Sequence, residues 1–403
     1  MSLAHTRSDT AKADQFHPPP TLSTRIALSD EQAQLLDAAS SFCRERSPAL
    51  GLRPLMASET GFDPAVWQAI VAMGWPGLAV PEALGGSGLP LACGALIAEP
   101  MGRHLLATPF ISTQLFVAGL LAGGNAAQQA RWLPALCRGR VGSVAVFEDS
   151  GDWDLTQPAC QASRAGATVT LHGHKTLVTD AGVADALLVS VMLDGAPALA
   201  VLDIHTLAPD QVPRHLQRET VIDETRRCWR LHLDGLAVAA DALITGPAAL
   251  KALAAVQHSA LLLASAEAAG GLAGALALMV DYLNTRSAFG RKIGSYQALK
   301  HSCADLLCTL ERTRSHVHHA ATLMADGSDA EIALRMAKAE AGDGFVQAGD
   351  RAVQFHGGFG FTWDCDAQLY LRRALFLQPW FGDAGHQRQC LADRLWPLDI
   401  EAS

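Results

Sequence analysis

The chain is short of charge and of aromatic rings. Charged residues make up 18% of its 403 residues and aromatic ones 6%, with only three tyrosines. Acids outnumber bases, the net charge is -9, and no basic cluster occurs. That argues against a nucleic-acid partner, whose phosphates need a concentrated positive footprint. No Cys-x-x-Cys pair occurs among the nine cysteines, at 43, 93, 137, 160, 228, 303, 308, 365 and 390, and their number is odd. Neither a disulfide framework nor a zinc site fits, and the pattern reads as reduced thiols in a cytoplasmic protein. His172, His174, His301, His318 and His319 match no metal-ligand spacing, so no metal is expected. The first residues hold no apolar signal core and run into His17-Pro18-Pro19-Pro20, so 1–26 read as a disordered arm.

Apolar residues, in contrast, reach 49%. From Ser259 to Val280 the only charge is Glu267, and the stretch is long enough to cross a bilayer. Its small residues Ala266, Ala268, Gly270, Gly271 and Gly274 suit close helix contact, so the stretch reads as the core rod of a bundle and no membrane span is expected. A lone Glu267 inside such a rod needs a hydrogen-bonding partner.

Three blocks follow one another. Residues 27–140 read as helical: Ser29-Asp30-Glu31-Gln32 offers a capping box, and Asp63-Pro64 an N-cap with proline at the first helical position. Residues 141–246 change period. Val169 and Leu171 alternate with Thr168, Thr170 and His172, and Asp194-Gly195 splits two apolar runs as a hairpin turn does. This block reads as a small antiparallel β-barrel or sandwich. Residues 247–403 return to helix, over about 254–286, 297–325 and 329–356, with short connections that predict an antiparallel four-helix bundle. The fold class is therefore mainly α with a central β domain.

Between the first two long rods stands Arg286-Ser-Ala-Phe289-Gly-Arg-Lys-Ile-Gly-Ser-Tyr-Gln297. Downstream comes Gln354-Phe355-His356-Gly357-Gly358-Phe359-Gly360. In this order and spacing the two segments resemble the signatures of the acyl-CoA dehydrogenase family, which the chain is similar to over about 27–398. Met73-Gly74-Trp75-Pro76-Gly77 and His172-Gly173-His174-Lys175-Thr176-Leu177-Val178-Thr179-Asp180 look like further family stretches. The resemblance implies FAD as cofactor and α,β-dehydrogenation of an acyl-CoA thioester, with electron-transfer flavoprotein as electron acceptor. It implies that Arg286, Phe289, Gln297, Gln354, Gly357 and Gly358 hold FAD across a junction between subunits, in a dimer or tetramer. It places Thr179 and Val146 beside the flavin ring, and Glu148 in the stretch that faces the ring's edge. Bland readings stand beside these. Arg286 would suit a helix C-terminus, the glycines a helix stop, and Thr179 a strand.

The pattern breaks at the base. Phe381 stands where the resemblance implies a catalytic Glu, and a phenyl ring takes no proton. The alternative position used by some members falls at Ala260, beside Leu261. Asp383 is the nearest candidate base, or an N-cap for the following helix. Four readings follow. The chain is a dehydrogenase with a non-standard base. Or it is one subunit of a hetero-oligomer with a related subunit that supplies the base, which Leu371-Arg372-Arg373 resembles. Or it performs lyase or flavin monooxygenase chemistry on the same fold, or it is a non-catalytic scaffold.

Overall fold

The computed structural model describes residues 28–47, 49–208 and 210–396. The expected arm at 1–26 lies outside them. Six helices come first: α1 (Asp30–Arg46), α2 (Ala49–Ala57), α3 (Pro64–Ala72), α4 (Gly94–Arg103), α5 (Phe110–Gly123) and α6 (Ala126–Cys137). The capping box at α1 is present: Ser29 Oγ accepts from the Gln32 amide at 3.2 Å, and Gln32 Oε1 from the Ser29 amide at 3.0 Å. Asp63 caps α3 by accepting from the Ala65 amide at 2.8 Å. Each cap supplies a partner to an amide that the first helical turn leaves unpaired.

Strands occupy the middle: β1 (Gly142–Ala145), β2 (Gln161–Ala165), β3 (Thr168–His172), β4 (His174–Thr179), β5 (Ala186–Leu193) and β6 (Ala196–Asp203). After the short helix α7 (Val212–His215) come β7 (Leu216–Glu219), β8 (Cys228–His232), β9 (Ala237–Ala239) and β10 (Leu243–Ile244). Seven strands form one sheet, and β4, β8 and β7 a second. The hairpin β5–β6 turns at Asp194 and Gly195, both left-handed (φ 52° and 77°), as its twist requires. Most pairings are antiparallel, but β1 and β2 each join β5 in parallel. A parallel pair needs a long crossover, so no local sequence signal reports it.

The last block begins with α8 (Pro247–Thr285) and a hairpin, β11 (Ser287–Ala288) and β12 (Arg291–Lys292). It continues through α9 (Gln297–Ala325), α10 (Glu331–His356), α11 (Ala367–Leu377) and α12 (Ala384–Leu395). Helix α8 is long and apolar enough to cross a membrane, and its middle is buried in the core, against α4, α5, α9, α10 and α11. Its glycines set the packing distance: a Cβ on Gly270 would lie 1.8 Å from the Glu99 carbonyl oxygen of α4, and one on Gly271 2.2 Å from the Phe345 ring of α10. One continuous apolar cluster runs from the first helices through both sheets into the bundle.

Candidate active site

The turn after α8 is exposed over most of its length. Arg286 ends the helix in extended backbone (φ -72°, ψ 132°), with its side chain in solvent. At the hairpin tip Phe289 and Gly290 are both left-handed (φ 54° and 79°), the geometry of a tight two-residue turn. Phe289 is 94% exposed. A β-carbon disfavours that backbone and water disfavours that ring, so the position is unfavourable twice over unless something covers it. Lys292 Nζ donates to the Thr285 carbonyl at 2.6 Å, and the Arg291 guanidinium lies 4.0 Å over the Tyr296 ring, which stiffens the turn. Gln297 opens α9, exposed, its amide nitrogen 3.0 Å from His301 Nε2.

The glycine-rich segment lies at the same end of the bundle, because Tyr282 of α8 stacks on His356 of α10 at 4.2 Å. Gln354 is exposed on the last turn of α10, and its carbonyl accepts from the Gly357 amide. The glycines there do different work. Gly357 is left-handed (φ 60°), a helix stop. At Gly360 a Cβ would fall 2.2 Å from the Val353 carbonyl oxygen, so packing excludes a side chain. Gly358 has neither reason: its φ is not left-handed and a Cβ would meet nothing within 4 Å. Bare backbone facing open space suits the close approach of a ligand.

On the β side, Thr179 ends β4, buried, and its carbonyl accepts from Ser143 Oγ at 2.5 Å. Val146 is buried just beyond β1. Glu148 turns inward: its carboxylate accepts from the amides of Ala159 (2.7 Å) and Cys160 (3.0 Å) and from Lys175 Nζ (2.5 Å). Burial opposes its charge, but Lys175 and the two amides outweigh that and hold its pKa below the usual range. Its carboxylate thereby ties the segment before β2 to Lys175 of β4.

Where a base is expected, none stands. Phe381 is buried and left-handed (φ 59°), its ring edge-on to Phe147 at 4.7 Å and to Trp380 at 5.0 Å. Asp383 is the N-cap of α12, accepting from the His386 amide at 2.8 Å. Ala260 and Leu261 are fully buried. Glu267, also fully buried, is paired with Arg226 and, at 2.5 Å, with Arg373 Nη1.

Those partners of Glu267 escape sequence reasoning. Arg373 also pairs with Asp223 and donates to Thr225 Oγ1, so α8, α11 and the loop before β8 meet in one buried ionic junction. Beside it Asp180 accepts from Ser112 Oγ at 2.6 Å. Burial foremost pushes the Asp180 carboxyl up to about 6. Among the described residues, no cluster of three or more His, Cys, Asp or Glu is arranged to hold a metal ion.

Two family models match this chain: acyl-CoA dehydrogenase, N-terminal domain, over residues 29–140, and acyl-CoA dehydrogenase, C-terminal domain, over 251–396. The acyl-CoA dehydrogenase IpdE2 of Mycolicibacterium smegmatis is 29% identical over 348 residues, 86% of this chain and 93% of that protein. Benzylmalonyl-CoA dehydrogenase of Aromatoleum aromaticum is 28% identical over 368 residues, 87% and 93% of the two chains. Among solved structures, a Tcur3481-Tcur3483 steroid ACAD variant superimposes with a TM-score of 0.81 at 28% identity, over 91% of this chain and 97% of that one. Two helical blocks around a β domain, with an exposed hairpin and glycine turn at one end of the bundle and these matches over most of the chain, make this protein a member of the acyl-CoA dehydrogenase family, flavoprotein oxidoreductases acting on CH–CH bonds.

Proposed function

We propose that this chain works in FAD-dependent α,β-dehydrogenation of an acyl-CoA thioester, within an oligomer of like or related chains that passes its electrons to an electron-transfer flavoprotein. Gly358 carries the FAD part: among the described residues nothing would meet a Cβ there within 4 Å, and bare backbone facing open space suits a dinucleotide lying on it. Arg286 would set its cation against the diphosphate, and Gln297 and Gln354 would offer amides to it. Phe289 would lie under the dinucleotide or a neighbouring chain. Gly357 and Gly358 would let the adenosine side approach, and Thr179 and Val146 would flank the ring from the β side. When bound, FAD supplies the acceptor for the β-hydride of the acyl chain. Phe147, Trp380 and Phe381 are buried and in mutual contact, and would keep water from an acyl group bound between the β domain and the bundle.

A second reading has its own observation. The position of the expected base holds the buried Phe381, Asp383 is committed to a helix cap, and Ala260 is buried and aliphatic. On this reading a related subunit abstracts the α-proton, and this chain completes that subunit's cofactor site. The solved relative named for the pair Tcur3481-Tcur3483 agrees with such an arrangement.

Flavin content tests both. The protein purified alone should be yellow, or turn yellow with added FAD. Bleaching by acyl-CoA without oxygen supports dehydrogenation by this chain alone. Colour without bleaching supports the two-chain reading, and bleaching then appears once a related chain carrying the Glu is added. Protein that stays colourless with FAD alone but turns yellow with that related chain also supports the two-chain reading, and protein colourless in both cases sinks the cofactor assignment.

A further inference from the structure

The segment from Leu377 to Gly382 is short, apolar and irregular, yet almost none of its main-chain carbonyls is free. Lys338 of α10 is 2% exposed, and its Nζ donates to the carbonyls of Leu377 (3.1 Å), Gln378 (2.8 Å) and Gly382 (2.9 Å). Gln387 of α12, fully buried, donates to the carbonyls of Phe381 (2.8 Å) and Gly382 (3.3 Å). Its own Oε1 accepts from Arg335 Nη1 at 2.8 Å, and Arg335 Nε is held by Glu331 at 2.5 Å. From the β domain, Trp153 Nε1 donates to the Pro379 carbonyl at 3.0 Å. Bulky residues avoid left-handed backbone, and such a conformation persists only where the surroundings over-determine it. At Phe381 these donors do so.

We propose that Lys338 and Gln387 are positioning residues: through the carbonyls of this segment they fix the ring of Phe381 against Phe147, and the aromatic wall so built selects the acyl group that the cleft admits. Calling it an acyl wall rests on the proposed function; the positioning does not. An ammonium has three N–H donors for three carbonyls, whereas a neutral amine has two and turns a lone pair toward the third. Burial foremost brings Lys338 down to about 7, against the pull of Asp383 and Asp343. Rising pH should therefore slacken the clamp. Arg335, His386 and Asp152 are further charged or titratable groups near this region; His386 is held below its ordinary value, chiefly by burial, and lies 4.9 Å from the Trp153 ring.

The full-length protein reports this through Trp380, its contribution assigned by difference against Trp380→Phe. The expected result is a red shift of emission with a midpoint near pH 7. Lys338→Met should be red-shifted at every pH with no transition, and His386→Asn should keep the transition. Gln387→Met, which leaves Lys338 in place, guards against a Lys338→Met protein that fails to fold: it should be red-shifted already below the midpoint. A transition that survives in Lys338→Met, no transition in the parent, or an unshifted Gln387→Met overturns the clamp. For the wall, calorimetric affinities for straight-chain and phenyl-bearing acyl-CoAs should change in the same direction in Gln387→Met and Phe381→Ala. A change in Phe381→Ala alone overturns the link between clamp and selectivity. If no form binds any acyl-CoA, the wall and the proposed function fall together, while the emission result still decides the positioning.

Discussion

Asp180 shows how one residue's surroundings set its chemistry. It sits left-handed (φ 56°) at the end of β4 and is buried against Ser112. Its folded carboxyl titrates at about 6 against an ordinary 3.8. Between those values the unfolded chain has released a proton that the folded chain keeps, so stability falls as pH rises through that window and is flat above it. Asp180→Asn, which keeps an acceptor for Ser112, should abolish that part of the slope; urea midpoints of the two proteins, subtracted at each pH, measure it. A parallel difference at all pH values would refute the assignment. Gly358 makes the opposite kind of prediction. Ala fits there, so Gly358→Ala should leave stability within about 0.5 kcal/mol. It should nevertheless reduce the flavin that the protein retains, since the added methyl group faces the ligand side. Equal flavin content would remove the main support for the cofactor site.

Among elements, α8 decides most. Its run of small residues is plain in the sequence, and so is the conclusion that it packs tightly. Which element fills the groove is not, because the glycine pattern names a face and not a neighbour. The structure puts α4 on one side, where Gly102 and Gly270 bring main chain against main chain, and α10 on the other, with Phe345 over Gly271. Gly270→Ala should therefore cost about 1–3 kcal/mol through overpacking, read as a lower midpoint in a denaturant melt. An unchanged midpoint would show that α4 yields easily. The caps at Ser29 and Asp63 were legible for the reason that α8's neighbours were not: a capping box closes within four residues.

For the molecule as a whole, the buried junction of Asp223, Arg226, Glu267 and Arg373 ties the β domain to two helices of the bundle. Replacing one partner strands the others. Arg373→Met should cost about 3–5 kcal/mol, because two buried carboxylates lose their shared cation. Asp223→Asn combined with Arg373→Met should cost clearly less than the sum of the two single changes, as residues in direct contact do. Strict additivity in the melts would mean that the pair is not coupled. Because one apolar cluster also spans all three blocks, this loss should appear as a shift of the entire calorimetric transition, and not as the early melting of one block.

The sequence by itself determined the order of helix, β and helix, the burial of α8, the caps, the hairpin turn at Asp194-Gly195 and the paired signatures at Arg286 and Gly357. Each is written in neighbouring residues through a period, a turn requirement or a motif. Only the tertiary structure decided what Glu267 pairs with, that Glu148 faces inward, and that Lys338 reaches the carbonyls around Phe381. These contacts reach as far as 106 residues along the chain, as Glu267 and Arg373 do. Local periodicity holds no record of such distances, because a buried charge finds its partner only once separate elements have been packed together.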